Sequence, residues 1–163
     1  MEKRDLYDAN FHLIGKTIEK NEEIPKDTYI LIVAVFIQND KGEFLIQKRS
    51  LNKDGKWATT GGHPKAGETS LEGILTEVKE ELGITINEPT LFKRVHDDKC
   101  FCDLYYIKEN VDISKVHLQT EEVSDVKWAT TDEIEDLNKT GEFKKSHYLM
   151  FKDCLEYLKE KNA

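Results

Sequence analysis

Residues 70–82, SLEGILTEVKEEL, constrain the chain more than any other stretch. Leu71, Ile74, Leu75, Val78 and Leu82 recur at spacings of three and four, which predicts a helix with one core-facing apolar stripe. The acids on that helix are unevenly spread. At roughly 100° per residue, Glu77, Glu80 and Glu81 fall within about a third of the circumference, beside the stripe. Like charges at these spacings repel by a few tenths of about one kcal/mol on an exposed helix, and by more where the dielectric falls near the protein wall. A divalent cation would turn that cost into a binding site. The other reading of three glutamates is a solvated acidic face.

The flanks favour a site. Thr69-Ser70-Leu71-Glu72 fits a capping box at the helix start, and Gly83 stands where a left-handed C-cap is wanted. Upstream lie the adjacent glycines Gly61 and Gly62, followed by a short loop with Pro64 and Gly67. Glycine permits close backbone approaches that a side chain would block, so a main-chain carbonyl could reach an ion held by the helix.

Taken together, residues 62–84 resemble the Nudix hydrolase signature. Gly62 is followed after five residues by Glu68, and after seven more by Thr76-Glu77-Val78-Lys79-Glu80-Glu81-Leu82-Gly83-Ile84. Only Thr76 departs from the pattern, standing where the family has arginine. The resemblance implies that Glu77, Glu80 and Glu81 hold Mg²⁺ or Mn²⁺ with the carbonyl of Gly61, and that Glu77 or Glu80 takes the proton of the attacking water. It implies structural roles for Gly62, Glu68 and Gly83, and a phosphate contact for Arg49 at the end of a strand. The missing arginine orients the glutamates by charge-assisted hydrogen bonds, which threonine cannot supply. Lys79 lies about 160° from Glu77 around the helix and is not expected to replace it.

The loop Trp57-Ala58-Thr59-Thr60-Gly61-Gly62-His63-Pro64 also resembles the isopentenyl diphosphate isomerases, a branch of the same fold. Their chemistry needs a cysteine in this loop, and aligning Gly-His-Pro puts Gly61 in its place. A third reading is a Nudix-fold binding module without turnover, for which Thr76 argues and the intact glutamates argue against.

The rest of the chain supplies a sheet. Residues 4–20 read as an N-terminal edge hairpin turning at Asp8-Ala9-Asn10, and Pro25 marks a connector. Residues 28–38, TYILIVAVFIQ, form a β-branched run covered on both faces, hence a central strand. Asn39-Asp40-Lys41-Gly42 turns the chain into a partner strand over 43–49. Further strands are expected at 90–96, 100–108 and 123–129, then a helix from Thr130 towards Leu137 and a closing amphipathic helix over 143–159. Phe101, Leu104, Tyr105 and Tyr106 read as core rather than as a base pocket. His63 and His96 read as surface histidines, and Glu121-Glu122 as an exposed acidic pair. The order of elements suits a mixed sheet with helices on both sides, in one domain over 1–163. That is the α/β/α sandwich the resemblance implies.

A formal charge of −8 argues against a nucleic acid polymer or an anionic membrane as partner, without excluding a small phosphorylated substrate bridged by metal. The longest apolar run, 29–37, is half the length that spans a bilayer. No secretory leader is visible. Cys100, Cys102 and Cys154 make an odd, poorly spaced set for disulfides or zinc, so the cytoplasm is the expected location. The resemblance implies hydrolysis of a diphosphate linkage in a small molecule, and makes a homodimer one of the oligomeric options.

Overall fold

A computed structural model describes residues 2–162 of the chain. The chain opens with β1 (Lys3–Tyr7) and β2 (Leu13–Glu19), then runs through β3 (Ile30–Gln38), β4 (Phe44–Arg49), β5 (Trp57–Ala58) and β6 (Thr60–Gly62). Helix α1 (Ser70–Leu82) follows, then β7 (Thr90–His96), β8 (Cys100–Lys108), β9 (Val123–Ala129), α2 (Thr131–Lys139) and α3 (Lys145–Lys161).

Strand β3 lies at the centre of a mixed sheet ordered β5-β4-β3-β8-β7, with β6 also paired to β3 and β9 to β4. β3 runs parallel to β8 from Ile30↔Cys100 to Gln38↔Lys108, and its other pairings are antiparallel. The period-two alternation of β3 feeds two cores. Leu31, Val33, Val35 and Ile37 pack with Ile74, Val78 and Leu82 of α1, whereas Phe36 packs with Ile134 of α2 and Phe151 and Cys154 of α3. The chain is thus an α/β sandwich with helices on both faces of its sheet.

Helix α1 has both halves of its capping box, Thr69 with Glu72, and ends at Gly83 in the left-handed region, φ 66°. Ile74, Val78 and Leu82 are fully buried. At about 1.5–3 kcal/mol for each such side chain, their burial far exceeds the repulsion among the neighbouring glutamates. The sheet can therefore hold an acid-rich helix in place.

Two elements depart from expectation. The N-terminal hairpin makes its own two-stranded sheet instead of extending the main one, touching β3's approach through the Tyr7↔Tyr29 bridge. Helix α3 starts at Lys145, not at residue 143, because Phe143 is buried and bridges to Trp57. Phe101, Leu104, Tyr105 and Tyr106 are all buried.

Candidate functional site

Strands β3 and β4 meet only at Gln38↔Phe44, and beyond that turn they diverge. The chain from β5 to β6 fills the split. Ala58 pairs with Gln47 of β4, and two residues later Thr60 pairs with Val35 of β3. Thr59, at the crossing, donates its hydroxyl to the Val35 carbonyl and its backbone N–H to His147 Nδ1 at 3.2 Å. A cavity of about 530 Å³ opens here, lined by β4, the crossing segment, the C-terminal half of α1, the start of β8 and the start of α3. Arg49, Gly61, Gly62, Glu77, Glu80 and Glu81 all line it.

Glu77, half-buried, and Glu81, buried, stand one helical turn apart on α1 and line the same cavity. Burial, then the charge of Glu81, pushes the Glu77 carboxyl up to about 9. Burial also raises Glu81, but Gln47 opposes this: its Nε2 donates to Glu81 Oε1 at 2.7 Å. Thr60 Oγ1 donates to Gln47 Oε1 at 2.7 Å and so orients the amide. Glu80 is turned to the rim, where it pairs with Lys65. Both members of that pair are about two-fifths exposed, so the contact is weak and easily exchanged. Among the described residues, no three His, Cys, Asp or Glu side chains converge as a ready-made metal cage. Two of the three carboxylates adjoin, and the third stands one weak ion pair away.

The glycines are required by contact. A Cβ on Gly62 would lie 2.4 Å from Glu77 Cδ, and one on Gly61 would lie 2.6 Å from the Val33 carbonyl oxygen. Glu68 closes the loop before the helix. Its Oε1 accepts from the Lys65 backbone N–H at 2.7 Å and its Oε2 from Thr76 Oγ1 at 2.8 Å. Thr76, in the arginine position of the signature, therefore ties α1 to this loop and not to the glutamates. Lys79 is exposed and does not line the cavity.

Several cavity residues are not singled out by the sequence. Arg4 enters from β1, and its Nε is buried with no hydrogen-bond partner among the described residues. Burial lowers its pKa, while Glu2 and then Glu77 raise it. Lys53 pairs with Glu122, so Glu122 also lies at the cavity while Glu121 does not. Arg49 Nε donates to Asp54 at 2.8 Å, and Lys144, pushed down by burial and then by Arg49, stands close by. His63 lines the cavity and is pushed down to about 4, chiefly by burial, so it is not the surface histidine expected. His96 is exposed and stacks on Phe101 at 4.4 Å, away from the cavity. Period and spacing reveal a helix face, but they carry no signal for residues brought in from β1 or α3.

The sequence and the fold both match known proteins. A model of the NUDIX domain matches residues 28–152. An uncharacterized Nudix hydrolase of Listeria innocua, lin0387, is 39% identical over 150 residues, 88% of each chain. An isopentenyl-diphosphate Δ-isomerase of Escherichia coli is 33% identical over 78 residues, covering 45% of this chain and 43% of that protein. The crystal structure of DR0079 from Deinococcus radiodurans overlays with a TM-score of 0.72 at 19% identity, over 93% of this chain and 98% of that one. With the glycine, glutamate and capping elements of residues 62–84 standing around a cavity, the chain belongs to the Nudix hydrolase family.

Proposed function

We propose that the chain hydrolyses a diphosphate linkage in a small phosphorylated molecule, using Mg²⁺ or Mn²⁺ held by Glu77, Glu80, Glu81 and the Gly61 backbone. The observation that carries this reading is the Glu77–Glu81 pair, one acid half-buried and the other buried, side by side against a glycine strand. Hard oxygen donors suit Mg²⁺ or Mn²⁺, and burial and then the charge of Glu81 raise the Glu77 carboxyl, so positive charge is favoured beside it. When bound, the ion supplies charge neutralisation at the nonbridging phosphate oxygens.

The protein's own groups divide the remaining work. Glu81, steadied by Gln47, and Glu77, confined by Gly62, are the ligands with fixed positions. Glu80 at the rim reaches solvent and takes a proton from the attacking water. Water oxygen bonds to one phosphorus, the bridging oxygen leaves with the other, and the proton passes to the carboxylate. Arg49, which lines the same cavity, is a phosphate ligand.

The test is a panel of nucleotides, nucleotide sugars, dinucleotides and isopentenyl diphosphate, incubated with Mg²⁺ and Mn²⁺, with product analysis locating the broken bond. Metal-dependent release that Glu80→Gln lowers by orders of magnitude supports the proposal. Formation of dimethylallyl diphosphate, or no turnover at all, overturns it. The isomerase outcome has little support, since Gly61 occupies the cysteine position and burial pushes the cavity thiols Cys100 and Cys102 up to about 11 and about 12.

A further inference from the structure

The cavity has a second polar end, built where α3 begins. His147 is 9% exposed and lines the cavity. Its Nδ1 accepts the Thr59 backbone N–H, and because a backbone N–H can only donate, that nitrogen carries no proton. The neutral imidazole therefore bears its proton on Nε2. Nε2–H has no partner among the described residues and opens onto the cavity.

Helix α3 has 17 residues, and its N-cap, Lys144, makes no side-chain cap bond. The first intrahelical bond there runs from Tyr148 N–H to the Lys144 carbonyl. The N–H groups of Lys145, Ser146 and His147 have no acceptor among the described residues, as expected of an uncapped first turn. The Lys144 ammonium is half-buried and joins no ion pair among the described residues, while the neighbouring Arg49 spends only its Nε on Asp54. Lys144, Ser146, His147 and Arg49 all line the cavity. A neutral imidazole donor, the free N–H groups of the first turn and two cations around one cavity suit an acceptor with several oxygens.

We propose that the start of α3, with His147 Nε2–H, Lys144 and Arg49, is a phosphate-binding subsite distinct from the carboxylate end. A chain of contacts connects the two ends. Contacts step from Glu81 to Gln47, from Gln47 to Thr60, and from the next residue, Thr59, to His147. A substrate filling both ends therefore carries a phosphate beyond the linkage that is cleaved: a triphosphate, or a diphosphate whose other group is itself phosphorylated. This assignment to substrate rests on the hydrolase reading. The binding of phosphate does not.

The test uses the intact chain in EDTA, so that no metal bridges phosphate to the glutamates. Inorganic phosphate is titrated into ¹⁵N-labelled protein at pH 7 and constant ionic strength. Saturable shifts of the Lys145, Ser146 and His147 amides and of the His147 ring, weakened about tenfold in Lys144→Met and restored in Lys144→Arg, support the subsite. No saturable shift up to 50 mM phosphate, or identical affinity in Lys144→Met, overturns it. Melting curves of both variants establish that they fold. If phosphate binds but no diphosphate is hydrolysed, the hydrolase reading fails alone. If hydrolysis proceeds with no phosphate shift at α3, this subsite fails alone. Where both hold, Lys144→Met raises KM for a nucleoside triphosphate about tenfold more than for the matching diphosphate, with kcat little changed.

Discussion

Gln47 Nε2 donates to Glu81 Oε1 at 2.7 Å, and Thr60 holds the other end of the same amide. The donor can only be satisfied by an acceptor, so it favours the ionised form of Glu81, while burial and the charge of Glu81 raise Glu77. Replacing Gln47 by leucine removes this bias. A hydrogen bond to a charged group contributes about 1.5–3 kcal/mol, so Gln47→Leu should weaken Mn²⁺ binding by roughly ten- to a hundredfold at pH 7. Calorimetric titration measures it. Affinity should recover in part at pH 9, where the pair ionises without help.

Glu77 yields a prediction of opposite appearance. Its carboxyl is raised from an ordinary value near 4.5 to about 9, so the folded state binds a proton that the unfolded state has released between those values. Its contribution to stability is complete below about pH 4.5 and is lost as pH rises towards 9. Glutamine resembles the protonated form. In EDTA at pH 8, Glu77→Gln should thus be more stable than the parent, on the order of 2 kcal/mol by urea unfolding, and no different at pH 4.5. The same variant should lose the melting shift caused by Mg²⁺. A Glu77 that loses stability on substitution at pH 8 would remove the buried-pair account.

The paired glycines should separate folding from function. A Cβ on Gly61 meets the Val33 carbonyl, which belongs to the β3 ladder and cannot withdraw. A Cβ on Gly62 meets the Glu77 carboxyl, the far end of a flexible side chain. Gly61→Ala should cost about 1–3 kcal/mol of stability, as overpacking does. Gly62→Ala should melt near the parent temperature yet lose metal-dependent activity by orders of magnitude, because the carboxyl is pushed from its place. Thermal unfolding and initial rates on the same preparations distinguish the two.

The apolar period of residues 70–82 and the β-branched run of β3 revealed the scaffold, because burial on one stripe or on both faces leaves a mark at fixed intervals. The glutamates were legible for the same reason, since they share that helix. Arg4, Lys144 and His147 were not. Each comes from an element remote in sequence, and each acts through where its chain segment docks: Arg4 through the separate hairpin, His147 through Thr59 at the crossing of β5 into β6. The substitution at Thr76 reads as a loss in the sequence. In the fold it is an exchange, with the hydroxyl bonded to Glu68 where a charged fork would have reached the acids.

His147 also sets an acid limit on the fold. Burial, then the charges of Lys144 and Arg49, pushes it down to about 3 from an ordinary value near 6.5. Below pH 6.5 the unfolded chain takes up a proton that the folded chain refuses, so the stability held above that pH is lost as pH falls towards 3. The slope is about 1.4 kcal/mol per pH unit for one such group. Asparagine at this position offers an acceptor for the Thr59 N–H but does not titrate. Subtracting the urea-unfolding free energies of His147→Asn from those of the parent at pH 7, 6 and 5 in EDTA isolates this slope, because Glu77 and His63 are common to both. The difference should shrink as pH falls, approaching about 1.4 kcal/mol per unit below pH 6. A pH-independent difference would mean that the imidazole is reached by protons in the folded state, and that its Nε2–H is not the neutral donor assigned to the phosphate subsite.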